Sequence, residues 1–480
     1  MMRKPLAGVR LAVLSMVVLA GCASGPAYQR HDAALPAQWQ AATADARERK
    51  AQREWWTQFN SGELSTLINA AMDNNHNLLA AASRIAQARA QARVAGASLL
   101  PEVSAGADAT RARDRGDAAA SNEVGVGLNA GFEVDLWGKN RYTHEAALGR
   151  IHSSIYARHF VSVTLQAEVA QAYFQVLSAG DRLALARRTL ENAESLLRLF
   201  EVQYRAGAIS ALEVERQLSL VSGVRAGIPV IEVERQGALN ALAILLGRAP
   251  QQFAVQPQPL MALHLPAIAA GLPSELLEQR ADIRQAEADL IAAQADIHAA
   301  RAAFFPSLRL TAAGGIASGT LGALLRGGGL FHSIAAGLTA PIFNHGRLQG
   351  EQALTQARQK ELVHVYQQAI LTALREVEDA LTAVQRLAQQ HEHQLQLITH
   401  AENALRMVEL RHRNGAIDFS AVLDAQRVLF AAQAERERIV LSRYAAAVAL
   451  YRALGGGWPH AREQVSAAPQ DFSARERKSK

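Results

Sequence analysis

The sequence predicts a membrane α+β protein in which one unit of long helices and short amphipathic strands is built twice. Three observations predict it. The first is internal duplication: Gly207-Ala208-Ile209 recurs as Gly415-Ala416-Ile417, and Leu245-Leu246-Gly247 as Ala453-Leu454-Gly455, both 208 residues later. Leu100-Pro101-Glu102-Val103-Ser104 recurs as Phe305-Pro306-Ser307-Leu308-Arg309, with an offset of 205. The second is proline placement, since none occurs from Glu102 to Ile228 or from Ile342 to Trp458. The third is strict alternation of apolar and polar residues from Val124 to Leu136. The period is far too long for a solenoid of roughly 20–50-residue units.

Residues 1–21 have the form of an export signal, with Arg3 and Lys4 before the apolar run Leu11 to Ala20. That run is too short to span a bilayer, for which about 20 residues are needed. It ends in Leu19-Ala20-Gly21-Cys22, and Cys22 is the only cysteine of the chain. The pattern resembles a bacterial lipobox, in which the cysteine becomes the lipidated N-terminus; an ordinary signal peptide with an incidental cysteine is the alternative. Residues 22–60 then form a lipidated segment and belt.

The first repeat spans 61–250, the linker 251–272 and the second repeat 273–457, before a flexible tail 458–480. Each repeat opens with a helix. Strands follow at about 100–111 and 123–137, and in the copy at about 305–317 and 331–343. Val124, Val126, Leu128, Ala130, Phe132, Val134 and Leu136 share one face, while Gly125, Gly127, Asn129, Gly131, Glu133 and Asp135 share the other. A period of two is that of a strand with one apolar and one polar face. The copy is weaker but in phase, through Ile334, Ala336, Leu338, Ala340 and Ile342.

Long helices are expected at 139–206 and 347–414, each roughly 100 Å at 1.5 Å per residue. In the second, Tyr366, Ile370, Leu374, Val377, Leu381 and Ile398 belong to a seam with mean spacing of about 3.5, a coiled-coil period. Alanines at 369, 373, 380 and 383 form a second strip, suited to packing on both sides. Each long helix should stop at a glycine, Gly207 or Gly415, where a left-handed cap is favoured. Return helices follow at 210–246 and 419–454. Pro229 predicts a break in the first of them, because proline lacks the amide donor.

Four strands cannot close a barrel, and an open apolar sheet leaves unsatisfied edges in lipid. Closure by a symmetric oligomer removes the edges. Three copies give twelve strands, and two give eight.

Composition excludes other classes. The net charge of +6 is concentrated in the N-terminal signal and the tail Arg475 to Lys480, and aromatic residues are 5%, so no basic, aromatic-studded surface for nucleic acid is present. Of the histidines at 391, 393, 400 and 412, His391 falls on the apolar seam and His393 on another face, and packing or solvation explains them better than a role as metal ligands. No nucleophile, acid–base pair or metal cluster stands out, and neither an enzyme nor a cofactor is expected.

Particular motifs resemble a known family. They are Trp55-Trp56-Thr57-Gln58-Phe59, Asp135-Leu136-Trp137-Gly138-Lys139, Pro341-Ile342-Phe343-Asn344, Arg375-Glu376-Val377-Glu378-Asp379-Ala380-Leu381, Leu423-Asp424-Ala425-Gln426-Arg427 and Leu454-Gly455-Gly456-Gly457-Trp458. In this order, from Trp55 to Trp458, the chain resembles the TolC-like outer-membrane factors, in the lipoprotein (NodT-type) branch serving resistance-nodulation-division efflux systems. The resemblance implies a homotrimer, with a 12-stranded barrel in outer-membrane lipid continued by a long periplasmic α-helical barrel. It implies a passive exit duct for small molecules, such as drugs and toxic compounds, driven by an inner-membrane transporter through a periplasmic membrane-fusion adaptor. A duct for type I protein secretion is the alternative within the family, and a periplasmic coiled-coil lipoprotein the alternative outside it. The resemblance also implies a periplasmic gate at Asp424 and Arg427. Taken alone, such an i,i+3 pair is a solvated contact of about 0.2–0.5 kcal/mol. The hairpin tips, Gly207, Ala208 and Ile209 with Gly415, Ala416 and Ile417, are the implied adaptor contacts. Ile209 and Ile417 would be exposed apolar groups there, or would cap their own hairpins.

Overall fold

The computed structural model describes residues 35–41, 54–112, 121–251 and 253–456. Cys22, the signal 1–21 and the tail 458–480 lie outside the described residues. In chain order the elements are α1 (Gly62–Asn74), α2 (His76–Ala97), β1 (Glu102–Ala112), β2 (Ser121–Val134), α3 (Lys139–Arg205), α4 (Ala211–Leu245), α5 (Ala281–Ala302), β3 (Ser307–Ser318), β4 (Gly329–Thr339), α6 (Arg347–Arg413) and α7 (Phe419–Ala453). Short helical turns sit at Trp55–Phe59, Leu260–Ala262, Pro273–Glu275, Leu276–Gln279 and Leu321–Leu324. No described helix is long and apolar enough to cross a membrane.

The chain divides into two compact units. One comprises Ala82–Tyr156 and Arg284–Gln368, and the other the described parts of Ala34–Ala81, Ala157–Ile283 and Ala369–Lys480. The first holds all four strands, paired antiparallel in the order β1-β2-β3-β4. The alternation seen in β2 extends through the sheet. Val126 pairs with Ala107 and Ile316, and Leu310 pairs with Phe132 and Ala336, so one face is mainly apolar, broken by His332 opposite Gly314 and by Arg111, Asn122 and Ser318 at one end. Its side chains meet no other layer: Leu128 is 60% and Ile334 87% exposed.

β2 ends at Val134, three residues short of the expected 137. The Asp135 carboxylate is recruited to the start of α3, accepting the backbone N–H groups of Asn140 (3.1 Å) and Arg141 (2.8 Å). It satisfies donors that a helix N-terminus leaves free. β4 likewise ends at Thr339 rather than 343, and Pro341 has no N–H with which to continue the ladder. At this junction the Trp137 indole donates to the Pro306 carbonyl at 2.7 Å and stacks on Phe305 at 4.8 Å.

The helical unit holds the aromatic core. Trp55 is 1% exposed and stacks on Tyr451 at 5.1 Å, while Phe59 packs on Phe174 and Tyr444. In α6, Tyr366, Ile370, Ala373, Val377, Ala380 and Leu381 are buried, so this stretch of the apolar seam is covered together with two of the four alanines, while Leu395 is 42% exposed. The inter-repeat linker is pinned along its length. Gln256 N–H donates to Glu63 (2.9 Å), Leu260 N–H to Asp181 (2.8 Å), and the Tyr444 hydroxyl to the Leu263 carbonyl (2.6 Å). Burial pushes the Asp181 carboxyl above its ordinary range.

The expected break at Pro229 does not occur. α4 runs unbroken from Ala211 to Leu245 with Pro229 inside it. Pro229 withholds a hydrogen bond from the Arg225 carbonyl, but the segment is exposed and water can supply the missing donor.

Candidate functional site: hairpin tips, gate pair and membrane sheet

Both long helices end in the same backbone geometry. Gly207 has φ +71° and Gly415 φ +69°, conformations that a residue with a Cβ adopts only with strain. Ala208 N–H donates to the Gln203 carbonyl and Ala416 N–H to the Arg411 carbonyl, each at 2.9 Å. This six-to-one bond is the Schellman closure of a helix. The return helices begin differently. Ser210 N–H donates to Glu213 at 2.7 Å in the first, whereas the Asp418 side chain accepts from Ser420 N–H at 3.3 Å in the second.

Between the tips lies a small apolar cluster that sequence reasoning missed. Phe200 and Phe419 meet edge-to-face at 4.2 Å and are buried with Val422 and Leu423. Its only signal in the sequence is two aromatics near a tip in a chain that has few. Ile209 packs against this cluster, and Ile417 is also half-buried. Both isoleucines are therefore partly withdrawn from solvent, Ile209 against the aromatic pair. Gly207, Ala208, Gly415 and Ala416 remain exposed.

Asp424 and Arg427 lie on the outside of this cluster. Arg427 Nη1 is 4.0 Å from Asp424 Oδ1, and the side chains are 59% and 76% exposed respectively. Within one chain this is a solvated pair, while the adjacent Leu423 is the buried anchor. A groove of about 520 Å³ runs beside it, lined in part by Arg188, Asn192, Leu196, Leu405, Glu409 and Gln426. Among the described residues, no group of three or more His, Cys, Asp or Glu side chains is placed to hold a metal ion. His391 is half-buried, and burial pushes its imidazole below the ordinary value.

The sheet has two open edges, β1 and β4, and an uncovered apolar face. Unpaired edges beside an apolar face are stable in lipid only when another strand closes them. The family model described as "Outer membrane efflux protein" matches residues 67–248 and 272–456. The chain belongs to this family.

The chain is 41% identical over 468 residues to the pyoverdine export outer membrane protein OpmQ of Pseudomonas aeruginosa, covering 95% of this chain and 98% of the relative. It is 36% identical to outer membrane protein OprJ of the same organism, over 97% and 98% of the two chains. The crystal structure of a membrane protein from Pseudomonas aeruginosa superposes with a TM-score of 0.84 at 35% identity, covering 90% of this chain and all of the other. The protein is thus an outer-membrane export channel of the TolC type, with long periplasmic helices and a non-catalytic role in transport.

Proposed function

We propose that three copies of the chain assemble into a passive exit duct of a tripartite efflux pump. Its four strands per copy would make a 12-stranded barrel in the outer membrane, and the apolar face would meet lipid. An inner-membrane resistance-nodulation-division transporter supplies the energy, and a periplasmic adaptor couples it to the duct. The sheet with two free edges and one bare apolar face is the observation that carries this reading. Cys22 is the lipid anchor after removal of residues 1–21, in keeping with the lipoprotein branch of the family. The repeats 61–250 and 273–457 each supply one hairpin of strands and one hairpin of helices.

The adaptor meets the hairpin tips, Gly207, Ala208 and Ile209 with Gly415, Ala416 and Ile417. Asp424 and Arg427 bias the periplasmic end toward closure through contacts between copies. Exposed ion pairs of about 0–1 kcal/mol each, taken three times, suit a gate that adaptor binding can open.

Reconstitution of the full chain in planar bilayers tests the duct and its gate together. The expected outcome is a heat-sensitive trimer of low conductance, raised by Asp424→Ala. A detergent-independent monomer would overturn the duct, and an unchanged closed state in Asp424→Ala would remove that residue from the gate. For the tips, Gly207→Asp combined with Gly415→Asp should abolish drug resistance in a pump-competent cell while the trimer still assembles.

A further inference from the structure

The polar face of the sheet holds an arrangement that neither the strand pattern nor the gate uses. Gly106, Gly127 and Gly315 pair directly across β1, β2 and β3, and Phe331 of β4 completes the row. Direct partners in a ladder point their side chains to the same face. Every other described strand residue on this face is small or polar, among them Asn129, Thr311 and Ser333, so Phe331 is its one large apolar side chain. Close approach requires glycine at Gly315 and leaves little room for a side chain at Gly127, whereas at Gly106 a Cβ would meet only Asn129 Nδ2 at 3.9 Å. A Cβ on Gly315 would lie 2.6 Å from the Gly127 Cα, and one on Gly127 would lie 3.3 Å from Phe331 Cζ. The Phe331 ring therefore reaches over Gly127 while remaining 41% exposed.

From the opposite edge, β1 sends a carboxylate onto the same glycine bed. Asp108 pairs with Gly125, and its Oδ1 lies 3.3 Å from where a Gly125 Cβ would be. Gly125 and Gly127 are successive positions on this face, about 7 Å apart along the strand. An exposed aromatic ring and an exposed carboxylate thus lie side by side on a floor without side chains. Of the other charged strand residues on this face, Glu102 and Glu123 add negative charge, while Glu133 faces Arg309 and is paired with Lys139 at 3.1 Å. A ring face attracts cations through its quadrupole, and a neighbouring carboxylate adds the Coulomb attraction.

We propose that Asp108 and Phe331 form a binding site for organic cations with an apolar or aromatic body, one per copy, on the wall of the duct. The site rests on the channel reading, which makes this polar face the lumen. The carboxylate neutralises the charge, the ring packs against the apolar body, and the glycines leave room for a flat solute. An exit duct gains from such a site only if it is weak, because a solute must also leave.

The test uses the full chain in planar bilayers with two water-soluble probes of similar shape, benzyltrimethylammonium and benzylsulfonate. The cation should interrupt the open-channel current, and the anion should not. Asp108→Asn and Phe331→Ala should each weaken the cation's effect about fivefold, as the loss of one such contact implies. Phe331→Leu keeps an apolar side chain over Gly127 and should assemble even where Phe331→Ala does not; it should still lose most of the effect. Cation block unchanged in Asp108→Asn or Phe331→Leu, or equal block by benzylsulfonate, overturns the site. Absence of current from both the wild type and the gate variant Asp424→Ala instead overturns the channel reading.

Discussion

In the first repeat, Asn75 donates its side-chain N–H to the Leu245 carbonyl at 2.9 Å, at the end of α4. In the second, Arg280 donates to the Ala453 carbonyl at 3.0 Å, at the end of α7. The two joints are equivalent: Gly247 and Gly455 both have positive φ, and a Cβ on either would lie 2.5 Å from a carbonyl oxygen, that of Asn74 or of Gln279. Backbone geometry has been kept through the duplication while the side chains diverged. Asn75 works alone and neutral, its Oδ1 also accepting the N–H groups of Asn77 (3.0 Å) and Leu78 (3.1 Å). Arg280 is part of a charged network with Asp282 (2.7 Å) and Glu376 (2.8 Å). Burial works against its charge, but the hydrogen bonds and attraction of these two carboxylates outweigh it and raise the Arg280 pKa above its ordinary value. Glu168, at the place of Glu376 in the first copy, is exposed.

The charged joint has an added task. Two residues beyond Glu376, the Glu378 carboxylate accepts the backbone N–H of Gln40 at 2.8 Å, and the Trp39 indole donates to the Gly271 carbonyl at 3.0 Å. The second repeat's joint is therefore where the N-terminal segment is fastened to α6. The family motif Arg375 to Leu381 is explained by these contacts, with Val377, Ala380 and Leu381 buried between them.

The largest difference between the copies should appear on deleting the joint residues. Arg280→Ala strands two partly buried carboxylates and should cost about 3–5 kcal/mol, whereas Asn75→Ala should cost about 1–3 kcal/mol. Urea denaturation of the two variants compares them directly, and equal losses would make the charged network irrelevant to stability. The next effect is acidic. His159 is buried in α3, and burial together with Arg158 lowers its pKa to about 4. Its neutral form is favoured in the fold, so this stability is present above the unfolded value near 6.5 and is lost as pH falls toward 4. The loss is on the order of 3 kcal/mol. The second copy has Gln367 at this position. His159→Gln should therefore flatten the dependence of thermal stability on pH between 6.5 and 4, and an unaltered slope would place the titration elsewhere. The smallest effect separates the return helices. α7 contains neither glycine nor proline, while α4 contains Pro229 in an exposed stretch. Pro229→Ala should stabilise α4 by about 1–3 kcal/mol, seen as slower amide exchange around Arg225, with no change in α7.

Much of the architecture was legible along the chain. α3 and α6 end at Arg205 and Arg413, one residue short of the expected 206 and 414. Proline-free windows and a glycine past the last turn mark such ends locally. The strands were legible because alternation is a property of neighbours, although Asp135 and Pro341 shortened two of them. At the candidate site the tip glycines and the Asp424–Arg427 spacing could be seen, but not the Phe200–Phe419 contact that draws Ile209 inward. That contact joins residues more than two hundred positions apart, and no local period records it.

The amino-acid order by itself determined the periods, the caps and the duplication, because these follow from backbone hydrogen bonding between residues a few positions apart. Only the tertiary structure decided that α4 continues through Pro229, that Arg280 faces Glu376, and that Asp108 and Phe331 converge over Gly125 and Gly127. Each of those depends on which distant surfaces come into contact and on how much water remains between them.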